Sequence, residues 1–169
     1  MATSKRYIFL VDDEPIQNEM LKDYLSERFA YDLKVFDNGE DALQHMSLHP
    51  EIVVLDFHLS GHNKNARNGV DILKEIKDKY PDTQVIMLSG QDKIEVAVDS
   101  IKYGAYDYVV KGETAFSRME NVFNNIGEFQ KMKLVNKGQR MIITILSLVV
   151  IAAVLLAIYL GVFTNAYHK

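Results

Sequence analysis

Across residues 141–163 the chain carries no charged side chain, and only Thr144, Ser147 and Tyr159 interrupt the apolar run. Apolar segments buried in globular cores are usually about 10–14 residues long, whereas a helix rising about 1.5 Å per residue needs roughly 20 to cross a hydrocarbon core of about 30 Å. The run therefore predicts one transmembrane helix and confines the rest of the fold to what precedes it. Its place near the C-terminal end excludes a cleaved secretory signal. Lys131, Lys133, Lys137 and Arg140 lie just before it, while only His168 and Lys169 lie beyond. The positive-inside bias thus places the N-terminal part in the cytoplasm of a single-pass protein, with residues 164–169 as a short tail. Ala153, Ala157 and Gly161 recur every fourth residue, a spacing that suits close pairing with a second copy of the chain, a homodimer.

Charge divides the chain at the same place. Residues 1–130 hold 14 Lys and Arg against all 23 Asp and Glu, a balance of −9, and residues 131–169 hold five basic residues and no acid. An acidic soluble part is a poor binder of nucleic acid, which demands phosphate neutralisation. At 169 residues there is room for one soluble domain and an appendage, but not for a separate DNA-binding output domain. The absence of cysteine excludes disulfides, thiolate metal sites and cysteine nucleophiles.

Within residues 1–130, short apolar runs alternate with amphipathic segments. The pattern predicts strands at 7–11, 33–36, 52–55, 85–88 and 106–110, and helices at 15–29, 38–48, 70–80, 93–103 and from 114 onward. Pro15 suits a first helical position, and Phe116, Met119, Phe123 and Ile126 are spaced for one buried face. Five strand–helix pairs in strict alternation imply a doubly wound α/β fold, a five-stranded parallel sheet of the flavodoxin-like kind, followed by the C-terminal transmembrane helix. Residues 131–140 read as a basic juxtamembrane linker. Gly127 and Gly138, each costing about 1 kcal/mol relative to Ala inside a helix, predict at least one break there.

Each informative polar residue falls at the carboxyl end of a predicted strand. Asp12 and Asp13 follow the first, Asp56 the third, Ser89 the fourth and Lys111 the fifth. Ligands of doubly wound sheets bind at those ends. Three carboxylates brought together repel one another unless a cation sits among them, and a hard divalent ion with oxygen ligands is the natural solution. A phosphoryl group beside that ion accounts for the serine and the lysine. Taken singly, Asp13 also suits a helix cap, Ser89 a turn and Tyr108 a core position.

The ordered set Val-Asp-Asp-Glu-Pro at 11–15, Asp56, Ser89-Gly90 and Gly-Ala-Tyr-Asp-Tyr-Val-Val-Lys at 104–111 resembles the receiver domains of response regulators in two-component systems. The resemblance covers residues 5–130. It implies that Asp56 accepts a phosphoryl group from a phosphohistidine on a histidine kinase or phosphotransfer protein. Asp12, Asp13, Asp56 and the main-chain carbonyl of His58 would hold Mg²⁺ or Mn²⁺, Lys111 and Ser89 would contact the phosphoryl group, and Tyr108 would be the aromatic switch residue. The chain is then a signalling switch rather than an enzyme with a separate substrate. It promotes its own phosphorylation and dephosphorylation and signals to a downstream protein.

Two departures from the family pattern stand out. Leu59-Ser60 replaces the usual Met-Pro, and the matching glycine, Gly69, comes thirteen residues after Asp56, so the intervening loop is lengthened and carries Lys64 and Arg67. Gly112 replaces the proline that usually follows the lysine, which predicts a trans bond with altered loop geometry or a strained exception. These departures motivate an alternative, a membrane adaptor that uses the receiver fold without phosphorylation. A phosphatase of the haloacid-dehalogenase type, suggested by Asp56-x-His58-x-Ser60, would need an aspartate where His58 stands and a motif on the first strand.

Overall fold

The computed structural model of the chain describes residues 5–59, 67–90 and 93–167. Five parallel strands, β1 (Tyr7–Val11), β2 (Asp32–Phe36), β3 (Ile52–Asp56), β4 (Gln84–Ser89) and β5 (Asp107–Val110), form one sheet in the order β2-β1-β3-β4-β5. Helices α1 (Pro15–Ser26), α2 (Gly39–Gln44), α3 (Gly69–Lys79), α4 (Ile94–Lys102) and α5 (Ala115–Tyr167) follow the strands in strict alternation. This is the doubly wound, flavodoxin-like architecture expected from the pattern of apolar runs.

Strands apolar on every residue need cover on both faces, and the sheet has it. Phe9, Val11, Val53, Leu55, Val85 and Met87 share one core cluster with Ala42 of α2 and Ile72, Leu73 and Ile76 of α3. By the two-residue repeat of a strand, Leu10, Val54 and Leu88 point the other way, and they line a small cavity with Leu21 of α1 and Phe116 of α5. Asn38 and Asn68 cap α2 and α3, each side chain accepting the amide hydrogen three residues on, from Asp41 at 2.8 Å and Asp71 at 3.0 Å. The helix expected at 38–48 is shorter. It ends at Gln44, a 3₁₀ turn (Met46–Leu48) follows, and Pro50, lacking an N–H, prevents continuation.

The chain divides into two compact units, Met1–Phe123 and Asn124–Lys169, and α5 contributes to both. Gly127 and Gly138 lie within α5, so the break expected near them is not made. Two penalties of about 1 kcal/mol are offset by the strong helix formers around them, among them Glu128, Gln130, Lys131 and Met132. The helix also extends four residues past 163 into the segment read as a tail. Among the described residues α5 is the one helix long and apolar enough to cross a membrane, by length and composition. Two hydroxyls of the apolar run, those of Thr144 and Ser147, turn back on the helix, Thr144 Oγ1 donating to the Arg140 carbonyl at 2.9 Å and Ser147 Oγ to the Ile143 carbonyl at 2.8 Å. Neither needs water.

Candidate functional site

The order β2-β1-β3 makes the chain leave β1 toward one edge and β3 toward the other, which opens a crevice above the carboxyl ends of the two central strands. Asp12 follows β1 directly, Asp56 is the last residue of β3, Ser89 the last of β4, and Lys111 follows β5. The register aligns Asp56 with Leu88 and Ser89 with Val110, so all these ends lie at one level.

Ligand atoms of Asp12, Asp13 and Asp56 lie within 4.8 Å of one another. Lys111 Nζ reaches into the group, 2.7 Å from Asp12 Oδ2, 3.1 Å from Asp56 Oδ1 and 3.8 Å from Glu14 Oε1. The remaining oxygens of the two buried acids accept main-chain amides. Asp12 Oδ1 takes the N–H of Glu14 at 2.9 Å and Asp56 Oδ2 that of His58 at 3.0 Å. Gly112 does not displace the lysine. No cis bond occurs among the described residues, and the Lys111 amide donates to the Ser89 carbonyl at 2.7 Å, which fastens the end of β5 to that of β4.

Burial, at 2 % exposure, pushes the Asp56 carboxyl above the ordinary carboxylate range. Lys111 draws it down and Asp12 pushes it further up. For Lys111, burial alone lowers the ammonium, but its contacts with Asp12 and Asp56 outweigh that and raise it. The lysine is thus firmly charged. Asp12 Oδ2 and Asp56 Oδ1 are buried, and the Lys111 ammonium faces both as their counter-charge. Three carboxylates against one ammonium leave two formal negative charges on an all-oxygen donor set. That set fits a hard divalent cation such as Mg²⁺.

Lys111 is therefore the counter-charge of the pocket. Lys111→Met is expected to lower stability by about 2 kcal/mol, because it leaves two buried carboxylates without their counter-charge. Thermal unfolding without divalent ion, and again with excess Mg²⁺, checks this, since the loss should shrink when the cation takes over the neutralisation. An equal loss under both conditions would contradict that role.

Ser89 and Tyr108 are both buried, the ring of Tyr108 within the core cluster. A Cβ at Gly90 would meet open space, so no packing constraint demands glycine there. The lengthened loop anticipated after Asp56 falls mostly on residues 60–66, outside the described residues. Its far end is anchored, with Arg67 bound to Glu75 Oε2 at 2.7 Å and to the Asp71 carbonyl at 3.0 Å.

Two contacts at the site were not foreseen from the sequence. Gly69 approaches the main chain of Asp56 so closely that an added Cβ would lie 2.2 Å from the Asp56 carbonyl oxygen. Asn18, 2 % exposed, donates its side-chain amide to the main-chain carbonyl of Asp12 at 2.7 Å. The signal for Asn18 was present, because it shares a buried stripe with Leu21 and Leu25, where the helical repeat calls for an apolar residue.

Comparison with known proteins agrees with this geometry. The family model "Response regulator receiver domain" matches residues 8–122, so the chain belongs to the response-regulator receiver family. A putative NtrX-like response regulator of Rickettsia conorii is 39% identical over 105 residues, covering 62% of this chain and 21% of that protein. The transcriptional regulatory protein CssR of Bacillus subtilis is 36% identical over 104 residues, 62% of this chain and 44% of that one. Among solved structures, the receiver domain of NtrX from Brucella abortus superimposes with a TM-score of 0.63 at 32% identity, over 72% of this chain and 98% of that domain. The chain spans about a fifth of the length of the NtrX-like relatives.

Proposed function

We propose that the chain is a membrane-anchored receiver whose Asp56 takes a phosphoryl group from a phosphohistidine on a histidine kinase or phosphotransfer protein. The observation that carries this reading is the convergence of Asp12, Asp13, Asp56 and Lys111 in one pocket. A carboxylate oxygen of Asp56 forms a bond to phosphorus as the phosphorus–nitrogen bond to the donor imidazole breaks, leaving an acyl phosphate. Lys111, already fully charged, turns from the carboxylates toward a phosphoryl oxygen, and the Ser89 hydroxyl at the end of β4 receives a second. Asp12, Asp13, Asp56 and the main-chain carbonyl of His58 would hold Mg²⁺, which neutralises the oxygens of donor and acceptor when bound. Tyr108 follows Ser89 as the aromatic reporter of the phosphorylated state. In this reading the chain promotes its own phosphorylation and dephosphorylation and acts on no separate substrate.

Output passes to a protein partner. Supporting this, Ile94, Val98 and Ile101 stand exposed at helical spacing on α4. Incubating the full chain with Mg²⁺ and acetyl phosphate and weighing it intact tests the chemistry: the expected result is a gain of one phosphoryl group. No gain would favour an adaptor that works without phosphate.

Anchoring rests on α5, with the basic residues before the apolar run facing the cytoplasm. Membranes from cells expressing the full chain should retain it through alkaline carbonate extraction and release it with detergent. Release by carbonate alone would sink the anchor.

A further inference from the structure

We propose that Asn18 is a positioning residue for the cation: its carboxamide holds the turn after β1 in the shape that presents the Asp12 and Asp13 carboxylates. The inference rests on the metal reading above.

Every polar group of Asp12 has a fixed counterpart. Its amide donates to the Phe36 carbonyl of β2 at 3.1 Å, Oδ1 accepts from Glu14, and Oδ2 faces Lys111. The main-chain carbonyl is left to Asn18. A carbonyl can only accept, so the amide nitrogen of Asn18 must be the group that faces it. Helix α1 begins immediately afterwards, yet its first residue, Pro15, has no N–H to offer. Without Asn18 the Asp12 carbonyl would be a buried acceptor at the junction of β1 and α1.

Position 18 is otherwise a core position. It lines a cavity of about 20 Å³ with Leu10, Leu21, Val54, Leu88 and Phe116, and its helical neighbours on the buried stripe are leucines. Leucine would fill such a site at lower cost than a buried amide. A polar residue that breaks the local pattern while bonding the main chain of a metal ligand marks a functional constraint rather than a packing one. Partners that orient metal ligands typically change metal affinity by about 10–100-fold when removed.

The test uses the full chain in detergent, with Mg²⁺ affinity measured by titration calorimetry and thermal stability measured in chelator. Asn18→Leu is expected to weaken Mg²⁺ binding about tenfold. Asn18→Ala should weaken it less, about threefold, because the enlarged cavity admits a water to the carbonyl; this variant carries the test if the leucine variant does not fold. Leu21→Ala, a neighbour on the same stripe, should lower the melting temperature yet leave Mg²⁺ affinity at the wild-type value. Wild-type Mg²⁺ affinity in both Asn18 variants overturns the proposal, as does weakening in Leu21→Ala in proportion to its lost stability. Failure of the wild type to bind Mg²⁺ at all would remove the metal reading itself, and with it this role.

Discussion

Asp56→Asn is expected to abolish the phosphoryl gain from acetyl phosphate while making the protein more stable in the absence of divalent cation. The first effect follows because an amide cannot serve as the attacking carboxylate. The second is less intuitive. Burial holds the Asp56 carboxyl above its ordinary range, so between the unfolded and folded values the folded state binds more protons than the unfolded one. Stability therefore falls as pH rises through that window, and at neutral pH the ionised Asp56 opposes folding even with Lys111 beside it. Removing the charge should add about 1 kcal/mol, or roughly 4 °C in melting temperature for a domain of this size. The gain should be present at neutral pH and vanish as pH drops below the ordinary carboxylate range. Excess Mg²⁺ should stabilise the wild type more than the variant, since the variant has lost one anionic ligand. A melting temperature for Asp56→Asn at or below that of wild type in chelator, at neutral pH, would contradict the account of burial penalising the ionised Asp56. Mass gain in the variant would contradict the assignment of the acceptor.

Gly69→Ala should be the most destabilising glycine-to-alanine change among the glycines whose surroundings are described. The added carbon would lie 2.2 Å from the Asp56 carbonyl oxygen, 2.9 Å from Phe57 Cα and 3.0 Å from Met87 Cε. Two of these neighbours are main chain and cannot rotate away. The contact is also pinned, because the Gly69 amide donates to the Phe57 carbonyl at 2.9 Å. Helix α3 must back off from β3, breaking this bond and opening the core beneath Val70 and Leu73. We expect a loss of about 3 kcal/mol, at the upper end for overpacking, and a melting temperature lower by roughly 12 °C. Gly112→Ala is the control, since a Cβ there meets nothing within 4 Å, and it should stay within about 0.5 kcal/mol of wild type. Urea unfolding of both variants decides it. Equal midpoints for Gly69→Ala and wild type would show that the approach of α3 to Asp56 is looser than described.

The same glycine shows where sequence reading stops. Its match to the family pattern was legible from order alone, but the reason for it is a contact between residues thirteen apart, across a lengthened loop. Lys111 makes the complementary point. Its place at the end of an apolar strand identified it, whereas the replacement of the following proline by Gly112 left its placement in question until the 2.7 Å contact with Asp12 answered it. Helix ends were read least well where a single residue decides them, as at Pro50, or where small penalties compete with strong helix formers, as at Gly127 and Gly138.

By itself the sequence determined the alternation of strands and helices, the acidic and basic division of the chain, the apolar run and the identity of the residues at the strand ends. These are properties of local order, written in periodicity and charge. Only the tertiary structure decided that Asp56 is buried enough to disfavour its own charge, that Lys111 spans two acids, and that Asn18 bonds the main chain of Asp12. Those depend on distances between segments far apart in the chain, which no local pattern encodes.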